Sequence, residues 1–121
     1  NASLFLSVHN NAMTDKSIGG TMTLHYPQRA GSGTFNGKDF ATTIQNELLK
    51  ALNTKDRKVI ERPNLVVLRY TAMPAAIAEV AFLTNAADRE KLKTEVFRQK
   101  AAEALCKAVI ESLDKLAKST T

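Results

Sequence analysis

Glu79 is the residue whose surroundings most clearly indicate chemistry. It lies in segment 74–83, the least polar stretch of the chain, and no lysine or arginine occurs between Arg69 and Arg89. A carboxylate removed from water without a partner costs several kcal/mol, or it takes up a proton instead. One interpretation is a general base in a low-dielectric cleft, where burial raises the pKa toward the working pH. The other is a structural carboxylate, at a sheet edge or paired with a distant cation such as Arg57 or Arg69.

His9 is the second candidate, because it ends an apolar segment that begins at Leu4 and leads into polar residues. This pattern predicts a buried strand, and α/β sheets place their ligands at the carboxyl ends of strands. A satisfied polar residue at a strand end is the alternative interpretation. His25 alternates with Thr21 and Thr23, so we expect it to be a solvated surface imidazole.

The chain contains a single cysteine, Cys106. One cysteine excludes internal disulfides and a cysteine metal cluster. Cys106 has helical spacing with Ala102, Ile110 and Leu113, which predicts a buried, inert thiol rather than a nucleophile.

Composition bounds the class of protein. The 121 residues are 44% hydrophobic and 24% charged, enough for one globular core. The formal net charge of +5 favours anionic partners such as nucleic acid or an acidic cell envelope. Aromatic residues make up only 6% of the chain, and no basic run is interleaved with them, so nucleic-acid binding is not expected. No run of about 18 apolar residues and no leader of the signal-peptide type is present, so we expect no membrane span in this chain.

The periodicity of the sequence predicts an α/β fold, with a sheet of mostly parallel strands flanked by helices. Strands are predicted over 4–9, 21–26, 65–70 and 75–83, and helices over 37–52, 85–92 and 94–117. Residues 27–36 are predicted as a loop and 50–64 as a connection. We expect a single domain over 1–121, with a frayed tail at 119–121. Because Asn1 is not a start methionine and a strand pattern opens by Leu4, we expect a segment of a longer polypeptide, with the N-terminal part of the domain missing.

Five segments, in order, resemble motifs of the zinc-dependent N-acetylmuramoyl-L-alanine amidases, the peptidoglycan-cleaving family often called amidase_3. They are LFLSVHNNA at 4–12, GTMT at 20–23, FA with IQNEL within 40–48, LR with MP within 68–74, and AEVAFLTN at 78–85. The resemblance extends from Leu4 to the last predicted helix. It indicates the C-terminal portion of such a catalytic domain.

The resemblance implies a hydrolase that cleaves the amide between N-acetylmuramic acid and the L-alanine of the stem peptide. His9 matches the family's last zinc ligand and Glu79 its catalytic residue, while Asn11 and Arg69 lie in matching motifs and are expected to bind substrate. The remaining zinc ligands, a His and a Glu, are expected upstream of Asn1, with an open position left for water. Peptidoglycan is the expected substrate, in the periplasm or cell wall, and an activator or a wall-targeting module is a further expected partner.

A single histidine cannot hold a catalytic zinc ion. Within this chain, the alternative is a site formed by His9, His25 and a carboxylate such as Glu47. His25 stands where the family has an aromatic residue.

The chain departs from the family pattern at Met22, where the family has Glu, and at Lys58 and Ala81, where it has Gly. Two other functions therefore stay open: a catalytically inactive amidase-like domain that binds muropeptides or a regulatory partner, and an unrelated basic α/β domain that binds an acidic polymer. Retention of Glu79 in an apolar strand argues against the inactive domain, because a buried carboxylate without a task only costs stability.

Overall fold

The computed structural model describes residues 1–27 and 34–119. Within them the elements are β1 (Phe5–Asn11), β2 (Thr21–His25), α1 (Gly37–Leu52), β3 (Asp56–Glu61), α2 (Val66–Arg69), β4 (Ala75–Phe82), α3 (Ala86–Leu92) and α4 (Glu95–Ser119). The strands form one sheet in the order β1-β4-β2-β3. β1 pairs with β4 and β2 with β3 in parallel, whereas β2 and β4 are antiparallel. The expected α/β class is confirmed, but the sheet is mixed rather than mostly parallel.

Helix α1 begins where the sequence predicts, because Asn36 and Asp39 form a capping box. The Asn36 side chain accepts a hydrogen bond from the Asp39 backbone N–H, and the Asp39 carboxylate accepts one from the Asn36 N–H, both at 3.0 Å. The helix ends at Asn53, which has a left-handed φ of 53°.

One face of the sheet is covered by α1 and α4, which together form the main hydrophobic core. Fully buried side chains of α1 pack against apolar residues of β4 and α4; the core includes Phe40, Ile44, Leu48, Ala76, Ala78, Val80, Ala101, Ala104 and Ala108. The opposite face carries a smaller cluster, in which Leu68 of α2 packs with Leu24 and Ile77. The predicted helices over α1, α3 and α4 and the predicted strands over β1, β2 and β4 are confirmed.

Two predictions about the middle of the chain are wrong. Residues 50–64 contain the edge strand β3. Its charged side chains hide the strand pattern in the sequence, because an edge strand exposes most of its side chains. Of the β3 residues, Val59 packs beside the main core and Ile60 beside the smaller cluster on the other face. Residues 65–70 form the short helix α2 instead of a strand. Val66 and Val67 are 67% and 53% exposed, so the apolar run that suggested a central strand is largely at the surface.

His25 and Cys106 also differ from expectation. His25 is 1% exposed, and its Nδ1 lies 3.1 Å from the carbonyl oxygen of Tyr26. The alternation with threonines is real, but that side of β2 lies beneath α1, where Thr23 donates to the Gln45 side chain. Cys106 is exposed, because the stripe it belongs to faces away from the core. The predicted loop falls partly on residues 28–33, and the frayed tail partly on residues 120–121, both outside the described residues; residue 119 is the last of α4.

Within residues 1–27 and 34–119, none of the helices combines the length and apolar character that a membrane span requires.

Lys58 has a φ of 75°, and its backbone N–H donates to the Asp56 carboxylate at 2.7 Å. A left-handed conformation costs a side-chain-bearing residue about 1–2 kcal/mol, and glycine avoids this cost. We therefore predict that Lys58→Gly raises the free energy of unfolding by about 1 kcal/mol relative to Lys58→Ala. Both variants lose the exposed ion pair with Asp56, so urea unfolding of the two isolates the backbone effect. Equal stability of the two variants would contradict the strain.

Candidate functional site

Glu79 lies on the central strand β4, between β1 and β2. Its Cα pairs in register with His9 on β1 and with Met22 on β2. Paired residues point to the same side of a sheet, so the three side chains form a row. Because Ala78 and Val80 belong to the core beneath the helices, the row lies on the opposite face. The structure therefore brings His9 and Glu79 together, as the sequence interpretation requires.

The Glu79 carboxyl is partly buried, and its Oε2 atom is buried without a hydrogen-bond partner among the described residues. Burial raises the pKa of Glu79 above its ordinary value, and the positive charge of a protonated His9 opposes this shift only in part. No ion pair within residues 1–27 and 34–119 includes Glu79. Arg57 donates its Nε–H to the carbonyl of Gly19 instead. A carboxyl whose pKa is raised in this way is better suited to accept and hold a proton than a surface glutamate is.

The other two sequence candidates differ in position. Asn11 joins the row, since its amide nitrogen lies 3.9 Å from the Met22 sulfur, while its Oδ1 accepts from the Ala12 backbone N–H at 2.9 Å. Arg69 is on α2, with its guanidinium carbon 5.4 Å from the ring centroid of Tyr70. It lines a cavity at the other end of β4, near Ala75. The structure thus groups Asn11, but not Arg69, with His9 and Glu79.

Asp88 fixes the strand ends around this row. It is 4% exposed, and its Oδ2 accepts hydrogen bonds from the backbone N–H groups of Phe82 and Gly20, both at 2.9 Å. One bond holds the end of β4 and the other the entry to β2. Gly20 has a φ of +117°, and a Cβ there would lie 2.5 Å from the Lys55 carbonyl oxygen, so this approach requires glycine. In the sequence, Asp88 stands three residues after Asn85, whose side chain caps α3 by accepting from the Asp88 backbone N–H at 3.0 Å; a first-turn acid gives no indication of the two strand contacts.

Gln45 performs a similar task from α1. It is 3% exposed and accepts from the Thr23 hydroxyl, while its Nε2 donates to the Thr21 carbonyl at 2.8 Å and to the Asp56 carboxylate at 2.9 Å. The last bond is the main reason that the pKa of Asp56 is lowered. Gln45 therefore ties α1 to β2 and β3. Nothing in the sequence indicates this role beyond the placement of a polar residue on the apolar face of a helix.

The donor set of the described residues does not by itself form a zinc site. No group of three or more His, Cys, Asp or Glu side chains in 1–27 and 34–119 is arranged to hold a metal ion. The alternative site of His9, His25 and Glu47 is wrong, because His25 lies on the opposite face, beneath α1, and Glu47 pairs with Lys50 at 3.2 Å. His9 is the imidazole that the structure places beside Glu79, exposed at the end of β1.

Comparison with known proteins assigns the family. The Amidase_3 model, described as N-acetylmuramoyl-L-alanine amidase, matches residues 1–111. The chain belongs to this family. The resemblance found in the sequence is thereby confirmed.

Two curated relatives show how much of a longer protein this Amidase_3 chain represents. It is 39% identical over 104 residues to N-acetylmuramoyl-L-alanine amidase LytC of Bacillus subtilis (strain 168), and this match covers 86% of the chain and 20% of LytC. It is 37% identical over 108 residues to the uncharacterized protein YqiI of the same organism, and this match covers 89% of the chain and 50% of YqiI. The chain therefore spans between a fifth and a half of the length of these relatives.

Solved structures give the same picture of the fold. The catalytic domain of CwlV, an N-acetylmuramoyl-L-alanine amidase from Bacillus (Paenibacillus) polymyxa var. colistinus, superimposes with a TM-score of 0.82 at 31% identity, over 94% of this chain and 59% of that domain. The N-acetylmuramoyl-L-alanine amidase of Clostridium difficile 630 gives a TM-score of 0.84 at 28% identity, over 93% of this chain and 59% of that one. The α/β fold of the described residues is thus the fold of amidase domains.

We predict that Asp88→Ala lowers the free energy of unfolding by about 2–4 kcal/mol, because it leaves two buried backbone donors unpaired, each costing about 1–3 kcal/mol. Urea unfolding measures the loss. Asp114→Ala is the matched control, since Asp114 is exposed and forms a surface ion pair with Lys118 of the same helix; it should change stability by less than about 0.5 kcal/mol. Similar losses in both variants would contradict the role assigned to Asp88.

We predict that Glu79→Gln stabilises the metal-free protein at neutral pH. A raised folded-state pKa means that the folded protein holds its proton more tightly than the unfolded chain, so stability falls as pH rises from the unfolded pKa toward the folded one. The amide avoids this loss, and the variant should gain up to about 1 kcal/mol at pH 7. Below the ordinary value of 4.5 the gain should disappear.

Urea unfolding across pH, with a chelator present, tests this expectation. Glu111→Gln, at an exposed position of α4, removes the same charge from the surface. A gain at Glu79 no larger than the gain at Glu111, or one that persists at low pH, would show that the Glu79 carboxyl is not desolvated.

Proposed function

We propose that this Amidase_3 chain is the C-terminal part of a catalytic domain that hydrolyses peptidoglycan. The bond cleaved is the amide between N-acetylmuramic acid and the L-alanine of the stem peptide. The observation that carries the proposal is the buried, unpartnered Oε2 of Glu79 beside His9. The family description and the amidase relatives support the same chemistry.

Glu79 acts as the general base in this proposal. Its raised pKa keeps it able to take a proton from the attacking water and to release that proton to the leaving L-alanine nitrogen. Its position on β4, between two paired strands, fixes the carboxyl without a counter-ion that would hold it permanently ionised. Met22 adds no charge on the β2 side.

His9 is proposed as a zinc ligand. When bound, zinc lowers the pKa of its water and polarises the amide carbonyl. The site needs further ligands, a His and a Glu, which we expect upstream of Asn1, because catalytic zinc sites have three protein ligands and one open position. The imidazole is exposed at the end of β1, where a metal and groups from another part of the polypeptide can reach it. Asn11 is proposed to contact substrate from the same row, and Arg69 from farther along the face.

The proposed setting is outside the cytoplasm, at the periplasm or cell wall, where peptidoglycan is found. The net charge of +5 suits an acidic envelope polymer. A relative, the CwlD amidase of Clostridioides difficile, has been solved in complex with the GerS lipoprotein at 26% identity and a TM-score of 0.82. This supports a protein partner for the present chain as well, and we propose an activator or a wall-targeting module in that role.

We predict that Glu79→Gln in the full gene product abolishes muropeptide release, with a loss of about a hundredfold or more in kcat, while zinc content and fold stay unchanged. His9→Ala should lower zinc content as well as activity. Elemental analysis and chromatography of digested peptidoglycan measure the two effects, and Glu111→Gln should match wild type in both. Unchanged hydrolysis in Glu79→Gln would remove the mechanism; a wild-type protein that binds muropeptides without cleaving them would favour the inactive alternative.

A further inference from the structure

Helix α2 lies on the same face of the sheet as Glu79. Its one buried residue, Leu68, packs with Leu24 and Ile77 in the smaller cluster. Ile77 and Glu79 are two residues apart on β4, in the part that pairs with β1 in unbroken register, so their side chains point to the same side of the sheet. At about 3.3 Å per residue, Ile77 is displaced about 7 Å from Glu79 along the strand. Helix α2 therefore flanks the candidate site toward the N-terminal end of β4.

The outer side of α2 is an exposed apolar surface, which we call the α2 surface. Its members Val66, Val67 and Tyr70 are 67%, 53% and 73% exposed. The two valines precede Tyr70 by about one helical turn, so the three side chains are neighbours. Contiguous exposed apolar side chains mark binding sites, whereas apolar residues scattered singly over a surface do not.

The Tyr70 ring is held in place by the preceding residue. The guanidinium carbon of Arg69 lies over the ring, 5.4 Å from its centroid, in a cation–π contact. Because the side chain of Tyr70 is largely exposed, the other face of the ring is open to solvent. A ring that is already fixed loses little conformational entropy when a ligand binds. The flat C–H face of a pyranose sugar is a ligand that stacks on such a ring.

The α2 surface continues into a cavity. Arg69 also lines a cavity of about 340 Å³, together with Thr71, Met73 and Pro74 among others. This volume is within the range of small-molecule sites, roughly 300–1,000 Å³. The cavity lies beside Ala75, about 13 Å from Glu79 along β4 at 3.3 Å per residue. A linear polymer that stacks on Tyr70 can therefore extend beyond it, away from Glu79.

The surface beyond the other end of the row is charged. Segments 13–18 and 84–91 meet at the carboxyl ends of β1 and β4, where the Met13 N–H donates to the Thr84 hydroxyl at 3.0 Å and the Asn85 amide to the Lys16 carbonyl at 3.1 Å. These segments contain six charged residues: Asp15, Lys16, Asp88, Arg89, Glu90 and Lys91. Segment 63–75, which contains α2, has Arg69 as its one charged residue. An uncharged sugar chain therefore suits the α2 side, and a peptide with free carboxylates suits the charged side.

We propose that the α2 surface is the subsite for the sugar chain of the substrate. The open face of Tyr70 stacks on a pyranose ring of an N-acetylated hexosamine, and Val66 and Val67 contact the same sugar chain. The stem peptide leaves Glu79 in the opposite direction, toward the carboxyl ends of β1 and β4. The identity of the ligand rests on the proposed function, whereas the position and exposure of the α2 surface do not.

The size of the α2 surface favours a sugar chain over a protein partner. A stable protein interface buries about 800 Å² on each partner, which is far more than three side chains on one helical turn provide. A sugar ring requires little more than one aromatic face and its surroundings. The α2 surface also shares a face of the sheet with Glu79, so one extended substrate can contact both.

Fluorine NMR of the full gene product, labelled with 3-fluorotyrosine, tests the subsite without depending on zinc or turnover. The Tyr70 signal is assigned by its loss in Tyr70→Phe. The probe is a β-1,4-linked N-acetylglucosamine tetrasaccharide, which is uncharged and contains no peptide. We expect it to shift the Tyr70 signal in a saturable way, whereas a stem tripeptide without sugar should leave that signal unchanged.

Val66→Lys should raise the dissociation constant of the tetrasaccharide at least about fivefold, because it places a charge in the apolar contact. Val96→Lys is the matched control, since Val96 on α4 is 65% exposed against 67% for Val66, and it should leave the dissociation constant unchanged. Circular dichroism checks that each variant is folded.

Hydrolysis provides a second test. On a disaccharide-peptide substrate, Tyr70→Ala should raise KM about fivefold or more and leave kcat within about twofold, because the stacking contact is the same in the ground state and the transition state. On a substrate that keeps the lactyl-L-alanine amide but lacks the sugar, Tyr70→Ala should match wild type.

A Tyr70 signal that the tetrasaccharide does not shift, or one that the tripeptide shifts instead, would overturn the proposal. So would an unchanged KM of Tyr70→Ala on the disaccharide-peptide, and in that case the proposed function would stand without this subsite. A saturable shift of Tyr70 in a protein that releases no muropeptide would keep the sugar subsite and remove the proposed hydrolysis.

Discussion

The desolvation of the Glu79 carboxyl is the constraint on which the site depends. A central strand between two paired neighbours leaves little water around its side chains, and the residues in register with Glu79 are an imidazole and a thioether. Neither offers a permanent positive charge, so the carboxyl holds its proton more strongly than a surface glutamate does. A cation such as arginine in place of Met22 would form an ion pair with Glu79 and would lower the pKa of the carboxyl, which is the opposite of the effect of burial.

The stability lost by burying part of the Glu79 carboxyl is offset by hydrogen bonds beneath and beside the row of His9, Glu79 and Met22. Asp88 and Gln45 are both buried; Asp88 accepts two backbone N–H groups on its Oδ2, and Gln45 uses both ends of its amide on groups of the strands. They hold the ends of β4 and β2 and the approach of β3, so the row is positioned by rigid elements rather than loops. A site held in this way keeps its geometry even though one of its members is unfavourably placed.

The two edges of the described sheet differ. The β3 edge carries charged side chains and the left-handed Lys58, whereas the β1 edge has no acidic or basic side chain other than His9 and lies beside Glu79. The candidate site residues His9 and Glu79 thus lie near the β1 edge of the described sheet instead of deep inside the fold. This placement agrees with a family member that spans about three fifths of the solved amidase domains it matches.

The sequence by itself determined the family, the α/β class, the helices α1, α3 and α4, the strands β1, β2 and β4, and Glu79 and His9 as the residues to consider together. These features depend on local signals: caps at Asn36 and Asn85, regular spacing of apolar side chains, and one acid in an apolar strand. Tertiary structure decided what local signals do not encode. Charged residues 56–61 form a strand because an edge tolerates charge, and the apolar residues 65–70 form a surface helix because the central positions of the sheet are taken by β4 and β2. His25 is buried because the side of β2 that it shares with Thr21 and Thr23 lies beneath α1, and Cys106 is exposed because the core lies on the opposite side of α4. In each case the burial of a residue depends on which other segment covers it. That segment is distant in the sequence, so local patterns do not reveal it.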